Sequence, residues 1–254
     1  MIKGLQCVPL IRVSRDQVAQ TYSQQTWQRR AYEDFISIIL SREYGMKTFP
    51  CVYATKGFKS NDHRYVFTES DDPSEPRNVR LLGDALRAYL RQSHSIGPNT
   101  SLVIICPPST KDRSVEDYNL SFWGLLRGLR IYDSKPWPEL VPADTTTSRW
   151  AFCFEGVPWF FAVLTPAHSK RQSRYAPNFG IVIQPKWVFD VLFNTPEKRQ
   201  AACGKVRSLL ADFDEIPLSP DIAHHGDPGT TESRQYYLLD ENKTSFCPYS
   251  DLDR

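Results

Sequence analysis

The densest group of residues that could carry chemistry is the segment TPAHSKRQSR, Thr165–Arg174. It follows the apolar run VPWFFAVL, so His168, Lys170, Arg171 and Arg174 stand where a predicted strand ends. Loops at strand ends commonly carry function. Arginine binds a carboxylate or phosphate through two parallel hydrogen bonds, and histidine ligates metals or transfers protons. The segment therefore predicts an anion-binding or metal-binding loop, and the alternative interpretation is a solvated basic loop.

Two cysteines next to prolines are further candidates: Cys51 in FPC and Cys247 in FCPY. A thiolate is a nucleophile or a soft ligand for haem iron when nearby positive charge lowers the pKa of the thiol. The sequence leaves each of them open between this chemistry and a plain core or loop thiol. The adjacent pair His224 and His225 cannot share a helical face, which excludes an i, i+4 metal site and favours a flexible loop.

Apolar spacing predicts the elements that would position these residues. Helical periodicity runs over residues 17–40, 78–93 and 115–129, and Thr195-Pro196-Glu197 has the cap, proline and acid of another helix start. Strands are predicted at 101–106, on both sides of a Glu155-Gly156 turn, and at 180–184. We therefore expect one α+β or α/β domain over residues 1–254, with a central mixed sheet flanked by helices. Residues 215–235 are expected to form a long loop.

Composition narrows the function classes. The 254 residues carry 31 basic and 29 acidic side chains, a near balance that argues against a nucleic-acid binder. The longest apolar stretch, 157–167, is far shorter than the roughly 20 residues that cross a bilayer. We expect no membrane association and, because the N-terminus lacks a secretory signal, a cytoplasmic protein. The six cysteines lack zinc-site spacing, and Cys106 and Cys153 are expected to be small core hydrophobes in strands.

The common short signatures of dinucleotide, P-loop, α/β-hydrolase and zincin enzymes are absent from the sequence. Six segments in order instead match one family pattern: FPCVYATKGF, SFWGLLRGL followed by PWP, RWAFCFEGVPWF, TPAHSKRQSR, QPKWVFD and LLDENKTSFCPY. The sequence resembles the YqcI/YcgG family from roughly Gln17 to Tyr249. It departs mildly at Lys186, where arginine is expected, and at Tyr249, where phenylalanine is usual.

This resemblance implies a haem-dependent N-hydroxylase of guanidino or amine nitrogens, of the type found in guanitoxin and cycloserine biosynthesis. It implies His168 as the axial haem ligand, with Arg171, Arg174 and Lys170 available to the haem propionates. Cys51 is the main alternative ligand, because thiolate ligation favours O–O cleavage, and Cys247 is the third.

A guanidinium substrate needs carboxylates opposite its N–H groups. The candidates at segment ends are Asp133, Asp144, Glu155 and Asp240. We expect the protein to bind a small-molecule substrate and to use an external reductant or peroxide. We expect no binding of nucleic acid, and a homodimer is one possible oligomeric state. The competing interpretations are a non-enzymatic haem carrier or sensor, and an anion-binding transferase without haem.

Overall fold

The computed structural model describes residues 13–223 and 226–252, which contain one open, mixed sheet of six strands in the order β1-β2-β3-β6-β5-β4. Only β2 and β3 pair in parallel among these neighbours, and the other pairs are antiparallel. The strands are β1 (Val13–Ser14), β2 (His63–Phe67), β3 (Ser101–Ile105), β4 (Phe152–Phe154), β5 (Val157–Leu164) and β6 (Gly180–Pro185). The predicted α+β domain with a central mixed sheet is confirmed.

The α-helices in the described residues are α1 (Arg15–Thr21), α2 (Trp27–Ile39), α3 (Val52–Lys59), α4 (Pro76–Ile96), α5 (Val115–Tyr132), α6 (Trp187–Leu192), α7 (Pro196–Phe213) and α8 (Glu232–Tyr236). The single helix expected over 17–40 is two helices, because the Thr26 side chain accepts from Arg29 N at 3.3 Å and starts α2 anew. The loop expected over 215–235 ends in α8. None of these helices is both long enough and apolar enough to cross a bilayer.

The two faces of the sheet are covered differently. On one face Phe161, Ile181 and Ile183 pack with α4 and α5 into the larger core. On the other face Tyr65 and Val103 pack beneath α2 in a smaller core. Because side chains alternate along a strand, the neighbouring residues of β5 and β6 face the second side, next to this smaller core.

The β4–β5 hairpin follows the sequence prediction. Phe154 pairs with Val157 across a two-residue turn, in which Glu155 has φ 55° and Gly156 has φ 71°. Positive φ at both positions is typical of the type I′ turn that suits the twist of a hairpin. Pro158 is the second residue of β5, so its missing N–H falls near the strand start, as expected.

Five cysteines in the described part of the chain are free thiols: Cys51, Cys106, Cys153, Cys203 and Cys247. Cys106 and Cys153 are buried, which confirms their prediction as core hydrophobes. Cys7, His224 and His225 lie outside the described residues.

Candidate active site

A cavity of about 400 Å³ lies over β5 and β6. Its floor consists of Phe160, Ala162 and Leu164 from β5 with Val182 and Gln184 from β6. The strand register explains this floor, since Phe160 pairs with Gln184 and Ala162 with Val182, which brings all five side chains to one face. The volume is within the range of roughly 300–1,000 Å³ that holds small molecules and cofactors.

Helix α7 forms one wall of the cavity. The residues that face the cavity recur at helical spacing: Arg199, Ala202, Cys203, Val206, Arg207 and Leu210. Leu210 alone among the described residues of α7 is buried, so the rest of this side borders open space instead of packed core. The helix therefore leaves a space that a ligand can fill.

The N-terminal end of α3 forms the facing wall. Phe49, just before the helix, meets Phe213 edge-on with ring centroids 5.8 Å apart, and Tyr53 meets Phe193 at 5.2 Å. These contacts fix the start of α3 against α7 and the loop before it. Cys51, the N-cap residue of α3, lies between them and lines the cavity.

The Cys51 thiol lies at the lining of the cavity. The residue is accessible, yet burial raises the pKa of its thiol, while the backbone N–H groups of Ala54 and Tyr53 and the Arg174 guanidinium act in the opposite direction. Burial is the larger effect, so the thiol of the haem-free protein favours its protonated form, and the Arg174 cation is a nearby group that favours the thiolate.

Arg174 is the predicted loop residue that reaches the cavity. Its guanidinium donates to Gln235 O at 3.4 Å and lines the cavity beside Ser173. Burial lowers the pKa of Arg174 to about 10, and the nearby Asp214 carboxylate acts against this shift. Arg174 therefore stays cationic at neutral pH, and Arg199 and Arg207 of α7 line the same cavity.

His168 lies outside the cavity lining. Its Nδ1 is 2.8 Å from Thr165 Oγ1, its Nε2 is 2.8 Å from Leu238 O, and the residue is buried. Burial lowers the pKa of His168 to about 4, although the hydrogen bond to Leu238 opposes this. Both ring nitrogens are engaged, so iron ligation would require one of these bonds to break. His168 as axial ligand stays a prediction, against which this placement argues.

Asp240 organises the loop that carries His168. Its carboxylate accepts hydrogen bonds from the backbone N–H groups of Ser169, Lys170 and Arg171 and from the Ser169 hydroxyl, at 2.8 to 3.0 Å. Burial alone would raise the pKa of Asp240, but these hydrogen bonds hold it below its usual value. Asp240 is outside the cavity lining, and its placement indicates a structural role.

The loop's other two cations are also engaged or remote. Arg171 is buried, donates to Leu239 O at 2.8 Å and lies 3.6 Å from the Asp214 carboxylate. Lys170 is exposed and its side chain is outside the cavity lining. The sequence predicted that Lys170, Arg171 and Arg174 bind an anion, and of these three only Arg174 lines the cavity.

The remaining predicted carboxylates lie elsewhere. Asp133 pairs with Arg130 at 2.6 Å and accepts from the backbone of Glu155, which itself pairs with Arg87. Asp144 is exposed and accepts from Thr146 in its own turn. Cys247 hydrogen-bonds the backbone of Tyr249, two residues along the chain. None of these four predicted residues lines the cavity.

The polar cavity residues that the sequence analysis did not predict as site residues include His63, Lys186 and Glu232, besides the α7 arginines. Burial lowers the pKa of His63 to about 4, and its Nε2 is buried with no hydrogen-bond partner in the described part of the chain. The family segment QPKWVFD contains Lys186 and was a signal in the sequence. Its partner Glu232 lies 46 residues further along the chain, so the sequence showed no sign of their contact. Residues 13–223 and 226–252 contain no cluster of three His, Cys, Asp or Glu side chains that could hold a metal ion.

Comparison with known proteins identifies the family. The model of the YqcI/YcgG family matches residues 32–250, nearly the whole described chain. The chain belongs to the YqcI/YcgG family. The match includes Cys51, Arg174, Lys186 and Glu232, so the whole cavity lies within the family domain.

Three relatives cover most of the chain. The Bacillus subtilis proteins YcgG and YqcI are each 35% identical to it, over 89% and 79% of this chain and 89% and 80% of their own lengths. A Streptomyces lavendulae protein, DcsA, named as a candidate N(omega)-hydroxy-L-arginine synthase, is 31% identical over 94% of this chain and 89% of its own. No solved structure matches the chain.

Proposed function

We propose that this protein is a haem-dependent N-hydroxylase of a guanidino amino acid of the arginine type, and that its cavity holds both haem and substrate. The observation that carries the proposal is the Cys51 thiol, which lines a largely apolar cavity with the Arg174 cation nearby. The name of the relative DcsA supports the substrate class and the reaction.

The cavity residues fit a haem. Aromatic and aliphatic side chains from β5, α2 and α6 supply apolar walls, and Cys51 is a single soft donor. A porphyrin supplies four ligands to its own iron, so one protein side chain is sufficient. Cys51 would hold the haem iron, and Arg174, Arg199 and Arg207 would be the cations available to the two propionates.

Conversion of an N–H bond to N–OH consumes either O2 with two electrons and two protons, or one peroxide, and releases one water. Haem, when bound, supplies the oxidising chemistry. The protein's own residues supply the rest: apolar walls exclude water, Arg174 places a positive charge near the thiol, and polar groups at the wall bind the substrate.

The decisive experiment incubates the haem-loaded protein with L-arginine, an electron donor and O2, or with peroxide, and analyses products by mass spectrometry. We expect a product 16 Da heavier than arginine that depends on both protein and oxidant. A protein that binds haem and yields no such product across arginine and related guanidines would instead be a haem carrier or sensor. A protein that takes up no haem would contradict the proposal.

A further inference from the structure

Lys186 and Glu232 form an ion pair in the wall of the cavity. Lys186 Nζ donates to Glu232 Oε2, and Tyr236 OH lies 2.8 Å from Glu232 Oε1. The Glu232 side chain is only 4% exposed, whereas that of Lys186 is 18% exposed. A buried carboxylate thus borders the cavity and is neutralised by a cation that water can reach.

The two partners differ in how firmly they are held. Glu232 is the first residue of α8, and the Thr231 hydroxyl before it and the Ser233 hydroxyl after it both donate to Thr145 O, at 2.6 and 2.9 Å. Lys186 directly follows β6 and reaches Glu232 through a flexible four-carbon chain. The carboxylate is therefore fixed, and the ammonium is the partner that can move.

Glu232 is also distinguished from the other carboxylates near the cavity. Among the residues described, Asp190 and Glu232 are the carboxylates that line it, and Asp190 is exposed on α6. A buried carboxylate attracts a cation more strongly than a carboxylate surrounded by water. Glu232 is therefore the stronger binding position for a cationic group that enters the cavity.

We propose that Glu232 binds the guanidinium of the substrate and that the Lys186 ammonium occupies this carboxylate until the substrate enters. This inference rests on the proposed function and adds the residue that selects the substrate. The carboxylate keeps one cationic partner throughout, since the guanidinium takes the place of the ammonium, which is 18% exposed and can turn towards water. A planar guanidinium matches a carboxylate with two parallel hydrogen bonds, whereas an ammonium is a compact, strongly hydrated point charge.

The test is calorimetric titration of the purified protein with L-arginine and with L-citrulline, which has nearly the same shape but a neutral urea end. We expect the unmodified protein to prefer arginine. Glu232→Gln should weaken arginine binding by about 10- to 100-fold, the range for loss of a charged hydrogen-bond partner, and should abolish the preference over citrulline. A merely structural role would weaken both ligands equally.

Three variants complete the test. Asp190→Asn, the matched control, should change arginine affinity by less than about threefold. Lys186→Gln should retain arginine affinity or raise it, because the competing ammonium is gone. If Glu232→Gln proves unstable, Glu232→Asp provides a second test because it keeps the negative charge. Circular dichroism checks its fold, and it should still prefer arginine over citrulline.

The inference is overturned if the unmodified protein does not bind arginine, if Glu232→Gln still prefers arginine over citrulline, or if Lys186→Gln loses affinity as Glu232→Gln does. Its failure is distinguishable from that of the proposed function. Arginine binding through Glu232 without a hydroxylated product would contradict the function alone. Undiminished product formation and arginine affinity in Glu232→Gln would contradict the inference alone.

Discussion

The Cys51 thiol and the Arg174 guanidinium, far apart in the chain, line one cavity and interact: the cation lowers the pKa of the thiol against the larger, opposite effect of burial. Cys51 reaches this position as the N-cap of α3, and Arg174 through the short 3-10 helix Gln172–Arg174 after β5. A soft donor and a cation at one cavity are the combination that the proposed haem site requires.

Cys51→Ser should remove the thiolate signature of bound haem. If Cys51 is the axial ligand, the ferrous carbon monoxide complex of the unmodified protein absorbs well to the red of an imidazole-ligated one, and Cys51→Ser abolishes that band. Cys203→Ser is the matched control, because Cys203 lines the same cavity from α7 and should leave the band in place. A band that survives in Cys51→Ser and is lost in His168→Ala would restore His168 as the ligand.

Arg174→Gln should slow alkylation of Cys51 in the haem-free protein. Loss of the cation raises the pKa of the thiol, so less reactive thiolate is present at a given pH. We expect iodoacetamide labelling of the Cys51 peptide at pH 8, followed by mass spectrometry, to slow severalfold. Arg207→Gln, a cavity cation that donates to Ile222 O, should leave the rate nearly unchanged. Equal slowing in both variants would point to a general loss of cavity structure.

The free energy of unfolding should fall as pH drops from about 6.5 towards 4. Burial lowers the pKa of both His63 and His168 to about 4, whereas an unfolded histidine titrates near 6.5. The unfolded chain therefore binds more protons in this window, and each histidine contributes a slope of up to about 1.4 kcal/mol per pH unit. Urea denaturation at several pH values measures it.

His168→Gln should reduce this slope, because one of the two buried imidazoles is gone. Thr165→Val removes a hydrogen-bond partner of His168 without removing a titratable group. It should cost about 1 kcal/mol across the window and leave most of the slope. An unchanged slope in His168→Gln would show that His168 is not buried in its neutral form.

Asp240→Ala should destabilise the fold by about 2–4 kcal/mol, because four N–H and O–H donors of the 169–171 turn lose a charged acceptor. The lowered pKa of Asp240 gives stability that is present above its unfolded value and is lost as pH falls through the folded value. Asp144→Ala, at an exposed turn residue, should destabilise the fold much less than Asp240→Ala. Arginine affinity that falls sharply in Asp240→Ala, with the fold intact, would restore its predicted role in substrate binding.

Local patterns were sufficient for much of the fold. The fully buried strand β3, the β4–β5 hairpin with its Glu155-Gly156 turn, and the Thr195 start of α7 agree with the structure, because short segments of sequence set them. Helical spacing of apolar residues predicted helix bounds less reliably where an N-cap residue starts a new helix. The Thr26 N-cap divides the long predicted helix although its apolar spacing continues.

The sequence by itself determined which residues are chemically capable: it named Cys51, His168 and Arg174 and identified their family. Only the tertiary structure decided which of them face the cavity. Both ring nitrogens of His168 hydrogen-bond to Thr165 and Leu238, and the Asp240 carboxylate accepts hydrogen bonds from backbone N–H groups. These two side chains could do chemistry, but here they stabilise the fold. The sequence did not point to Glu232, and it showed Lys186 only as a departure from the family pattern, yet the two side chains meet at the cavity wall. The physical reason is that burial and pairing set the reactivity of a polar group, and both depend on contacts between residues far apart in the chain.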